Sequence, residues 1–110
     1  MPGSRPLTPA EHAVLDRLLS AEFDGVAELR AQAATVRVTG GCDCGCPTIH
    51  FREGNNGLRL VAEAANPAQD QTVLLFVGED GHLESMELAW VTDAPPSTFP
   101  KPDDLAVQPR

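Results

Sequence analysis

Tyrosine is absent from the 110 residues, and tryptophan and lysine occur once each. Four phenylalanines complete the aromatic set, so the interior must pack through Leu, Val and Ala. A recognition surface on such a chain has few of the aromatic anchors that dominate most binding energies. Long apolar runs are also missing. The longest, Val73 to Val77, falls far short of a bilayer-spanning helix, which argues against a membrane partner. Met1 to Pro9 holds no apolar stretch of the kind a secretory leader needs. Positive charge is scarce: eight basic residues face sixteen acidic ones, for a net charge of -8. A field of that sign repels phosphate backbones and makes nucleic acid a poor partner. Finally, no nucleophile elbow, phosphate-cradling loop or paired His-Glu helix motif occurs, so the expectation is that the chain is not an enzyme.

What is present fits one domain, with apolar residues at 42%. Thr8-Pro9-Ala10-Glu11 reads as a helix start, with Thr8 capping, Pro9 in the first turn and Glu11 closing a capping box. Val14, Leu15, Leu18 and Leu19 then form one apolar stripe. After Phe23-Asp24-Gly25, Asp24 is expected to cap a second helix ending near Ala34, with Val26, Leu29 and Ala33 inward.

From Thr35 the period changes to two. Val36 and Val38 point one way, and Ile49 and Phe51 follow the same rule, with His50 and Arg52 outward. Leu58, Leu60, Ala62 and Ala64 are expected inward, opposite Arg59, Val61 and Glu63. Gly54-Asn55-Asn56-Gly57 between these two strands signals a hairpin. Val73 to Val77, apolar on both faces, reads as a central strand. A last strand, His82 to Val91, groups Met86, Leu88 and Trp90 on one face. The fold class expected is α+β: two N-terminal helices packed on a mainly antiparallel sheet of about five strands. That domain spans 1–92. Residues 93–110 form a Pro-rich tail that is either disordered or folded back on the sheet through Phe99, Leu105 and Val107.

Chemical character concentrates in Gly40-Gly41-Cys42-Asp43-Cys44-Gly45-Cys46-Pro47. Three cysteines within five residues are not a secreted disulfide framework, which points to a reducing cytoplasm. If the segment were extended, neighbouring sulfurs would lie roughly 6.5–7 Å apart. Thiolates on one zinc ion lie under about 4 Å from each other, so the loop must curl to hold metal. Cys42, Cys44 and Cys46 are then candidate zinc ligands, and His50, of the same strand parity as Cys46, is the candidate fourth. Asp43, His12 and His82 are alternatives. An iron–sulfur cluster normally takes four thiolates, one more than the chain has. A strained, easily reduced disulfide within the loop would suit thiol redox. Against that, no Lys, Arg or His adjoins the thiols, and Asp43 would raise their pKa. The first reading, ahead of metal and of redox, is that the thiols are small buried hydrophobes closing a tight inter-strand turn. His50, Arg52, Arg37 and Arg59 also make a face with some positive charge, suited to an anion or simply to water.

Leu7-Thr8-Pro9-Ala10-Glu11, Leu29-Arg30-Ala31-Gln32 and Cys42-Asp43-Cys44-Gly45-Cys46-Pro47 together resemble a group of small acidic proteins of high-GC actinobacteria. The preference for Arg over Lys agrees with such a genome. The resemblance spans roughly the first half of the chain and implies a cytosolic protein with no particular activity. The expected function is a non-enzymatic binding or regulatory module for a protein or small ligand. The alternatives are a zinc-binding protein and, third, a thiol-redox protein.

Overall fold

The structure, a computed structural model, describes residues 4–42, 44–54 and 56–109; readings that involve Asp43 and Asn55 fall outside it. The chain enters through β1 (Arg5–Pro6) and turns into α1 (Pro9–Leu18). The helix starts there because Thr8 accepts from the Glu11 N–H while the Glu11 side chain accepts from the Thr8 N–H. This reciprocal cap contributes about 1 kcal/mol. Val14, Leu15 and Leu18, with Leu19 just beyond, are buried as their spacing requires.

Helix α2 (Val26–Ala33) buries Val26, Leu29 and Ala33. Its cap is Gly25, not Asp24. The chain enters the helix through a left-handed residue, φ +87°, with no side-chain cap bond, and glycine takes that conformation at no steric cost.

Six strands follow: β2 (Arg37–Val38), β3 (Gly40–Gly41), β4 (Ile49–His50), β5 (Arg59–Asn66), β6 (Gln71–Val77) and β7 (Leu83–Trp90), with β8 (Ala106–Pro109) closing the chain. Among the described residues these form a small β1–β2 ladder and a six-stranded antiparallel sheet in the order β3-β4-β7-β6-β5-β8. The α+β class is therefore as expected, with more and shorter strands. A two-residue strand such as Arg5–Pro6 has no period to read, which is why β1 leaves no trace in the sequence pattern.

The centre of the sheet is β6, where Val73, Leu75 and Val77 are buried on one face and Leu74 and Phe76 are half-buried on the other. The expected hairpin across residues 54–57 does not form. Strands β4 and β5 are separated by β7 and β6, and Phe51 instead continues the β4–β7 ladder by donating its N–H to Glu84 O at 2.8 Å. Arg52 holds the segment there, bound by two bonds to Asp80 at 2.6 and 2.8 Å and by one to Glu84.

Strand β5 also departs from simple alternation. Its register shifts between Leu60 and Ala62. A bulge of this kind reverses side-chain parity. Val61, expected outward, is therefore 2% exposed beside the buried Ala62 and Ala64, and Leu58, expected inward, is 63% exposed.

The proline-rich segment runs from Asp93 to a single turn at Pro102–Asp104 and into β8, which pairs with β5 at the sheet edge. Leu105 is 2% exposed in the core. Its carbonyl accepts two bonds from the Arg17 guanidinium of α1, at 3.0 and 3.3 Å. No described helix is long and apolar enough to cross a membrane.

Candidate metal centre

The cysteine loop joins β3 to β4 at the edge of the sheet opposite β8. Gly45 there has φ +91°, a conformation that costs a side-chain-bearing residue about 1–2 kcal/mol. This reversal turns the chain between Cys44 and Cys46. The three sulfurs consequently all lie within 4.8 Å of one another, and none is in a disulfide. That limit is about 1 Å more than the spacing of thiolates on one tetrahedral ion.

A repeated backbone pattern orients the sulfurs. The N–H of Cys44 donates to the Cys42 sulfur and the N–H of Cys46 to the Cys44 sulfur, both at 3.4 Å. Two residues further on, Thr48 is the neighbour that does most to lower the Cys46 thiol. The Cys42 and Cys44 sulfurs are thus each an acceptor from the residue two positions ahead. Hydrogen bonds of this kind favour the thiolate over the thiol, and outer hydrogen bonds fix the orientation of metal ligands.

The thiols respond in opposite ways. Burial pushes the Cys46 thiol up, but the bonds from Thr48 and from the other two cysteines outweigh it and bring it down to about 7. Cys44 is pushed up to about 11, chiefly by its hydrogen-bond contact with the Cys42 sulfur and then by that with Cys46. Neighbouring charge, the only factor legible in the sequence, predicts raised values throughout. Hydrogen bonding reverses that at Cys46.

The other candidate ligands lie elsewhere. His50 is on β4 and lines a cavity of about 210 Å³ with Glu84, Ser85 and Glu87; it is not grouped with the sulfurs. His12 lies within 3.1 Å of both Asp16 and the Ala33 carbonyl, and His82 stands 3.3 Å from Asp80. Asp43 is outside the described residues. The basic face is also dispersed: Arg52 is consumed by Asp80 and Glu84, and Arg37 donates to Ser4. Thr48 is the residue that sequence reasoning missed. It continues the every-second-residue series from Cys42 to Cys46, and asking which N–H lies two residues after each cysteine would have found it.

Cys42 and Cys46 form part of the wall of a cleft of about 690 Å³. Val14, Val38, Ile49 and Phe99 give it an apolar floor, and Arg5 and Lys101 are its cations. The chain matches no family model, no curated protein and no solved structure, so a functional reading of it rests on the sulfur geometry and the adjoining cleft.

Proposed function

We propose that this is a non-enzymatic binding protein of the cytosol that holds one soft metal ion, zinc in the first instance, through Cys42, Cys44 and Cys46. A single observation carries the reading: three free sulfurs lie within 4.8 Å of one another. The lowered Cys46 thiol supports it, since a metal requires the deprotonated form, and the backbone N–H groups aimed at Cys42 and Cys44 orient those two sulfurs. Thiolate ligands select zinc or copper(I) over magnesium or calcium. His50 is not needed as a ligand in this arrangement.

Native mass spectrometry of untagged protein, purified under reducing conditions with free thiols counted in parallel, tests the reading. One ion per chain is expected, and it is expected to be lost in Cys44→Ser. A metal-free mass with three titratable thiols that stays metal-free on adding zinc overturns the proposal. That result would favour a second reading, a metal-independent module that binds a small ligand in the 690 Å³ cleft, a size ordinary for small-molecule sites.

A further inference from the structure

The three-thiolate site has an open side, and the cleft supplies what would fill it. A tetrahedral ion on three protein ligands keeps one position for an exogenous group. No described side chain joins the three sulfurs, while two of the cysteines, Cys42 and Cys46, are among the residues that line the cleft. A fourth donor therefore has a path to the sulfurs from the cleft. The ion prefers a donor as soft as the three already present.

The cleft's charge narrows the choice further. Arg5 is satisfied, with its guanidinium donating to both Glu11 carboxylate oxygens at 2.7 and 2.9 Å and to the Pro6 carbonyl. Lys101, the chain's one lysine, is exposed at the cleft wall and makes no ion pair among the described residues. In a protein of net charge -8, an unpaired cation beside a cavity attracts an anion to that spot. The apolar floor excludes a fully hydrated one. The smaller cavity offers no comparable group, since Glu84 is held by Arg52 and Glu87 accepts from the Ser85 hydroxyl.

We infer that the cleft binds a small organic thiol bearing a carboxylate, its sulfur becoming the fourth ligand of the metal and its carboxylate meeting Lys101. This rests on the metal reading above. On binding, a new metal–sulfur bond forms and a metal-bound water leaves. The ligand's S–H proton passes to bulk solvent, and no electrons are transferred.

Cobalt(II) serves as the probe, because thiolate-to-cobalt charge-transfer absorption reports the number of bound sulfurs. The cobalt-loaded protein, free of other thiols and under anaerobic conditions, is titrated with mercaptoacetate, with uncharged mercaptoethanol and with acetate. Mercaptoacetate is expected to raise the charge-transfer band by about one third, the step from three thiolates to four. Acetate is expected to leave the band unchanged. In Lys101→Gln, mercaptoacetate is expected to bind roughly fivefold more weakly, between the limits for exposed and buried charge pairs, with mercaptoethanol unaffected. A charge-transfer band that appears with cobalt but ignores mercaptoacetate overturns the inference and leaves the metal site standing. Equal binding of the two thiols, or no effect of Lys101→Gln, does the same. No charge-transfer band with cobalt alone overturns both.

Discussion

Thr48→Val is the most informative single change, because it separates two jobs of one hydroxyl. Thr48 Oγ1 accepts the Leu88 N–H at 3.1 Å, and the same side chain does most to favour the Cys46 thiolate. The first bond replaces a missing ladder partner. The β4–β7 register of Ile49 with Met86 would bring Pro47 opposite Leu88, but the loop has turned away by then. Valine keeps the shape and leaves the N–H of a 5% exposed residue without its acceptor. Such a group costs about 1–3 kcal/mol, less a few tenths for valine's better fit in a sheet. At about 4 °C per kcal/mol for a chain of this size, Tm falls by roughly 4–12 °C. Metal affinity falls by about 10- to 100-fold, the usual effect of removing a partner that orients a ligand. Urea unfolding of the metal-free, reduced protein reads the first effect, and competition with a zinc chelator reads the second. Thr48→Ser should restore both. If the valine and serine variants unfold within about 0.5 kcal/mol of each other, the hydroxyl is not the partner of Leu88 and the reasoning fails.

Gly45→Ala should cost about 1–2 kcal/mol from its left-handed backbone and weaken metal binding as the sulfurs spread, read by the same chelator competition. Leu105→Ala should cost about 2–5 kcal/mol, measured by urea unfolding; a loss below 0.5 kcal/mol would mean the tail contributes nothing to the core. Glu11 titrates below the ordinary carboxylate range, chiefly through the Arg5 guanidinium, with burial opposing and the Thr8 N–H assisting. A carboxyl lowered in the folded state contributes stability at neutral pH that is lost as pH falls, here from about 4.5 downward. Glu11→Gln should therefore be less stable at pH 7 and show a flatter acid limb in stability-versus-pH curves.

Some of this architecture is legible in the residues and some is not, for physical reasons. The capping box at Thr8 and Glu11, both helix stripes and the central strand Val73–Val77 all follow from local spacing. Each involves residues that meet their partners within one turn or within one strand period. The errors arise where a distant partner decides. Asn56 and Gly57 look like a hairpin, yet Arg52 is drawn to Asp80 and Glu84 on the far side of that loop. Val61 reads as solvent-facing until the bulge beside it reverses the parity. At the candidate site the three sulfurs are plain from composition, and the need to curl follows from strand geometry. Strand parity points to His50, but it loses its force where Gly45 breaks the strand. Thr48 and Lys101 carry no motif, and only the folded loop and the tail bring them to the thiols and to the cleft.

The strands flanking the cysteine loop are two residues each, whereas β5, β6 and β7 run for eight, seven and eight residues. Protection from hydrogen exchange should divide along that line, with the slab opening only on global unfolding and the β3–β4 margin opening far more often. The thiols therefore sit on the part of the sheet expected to open first. If they hold the proposed ion, its exchange is expected to follow the small free energy of that local opening and not the stability of the whole fold.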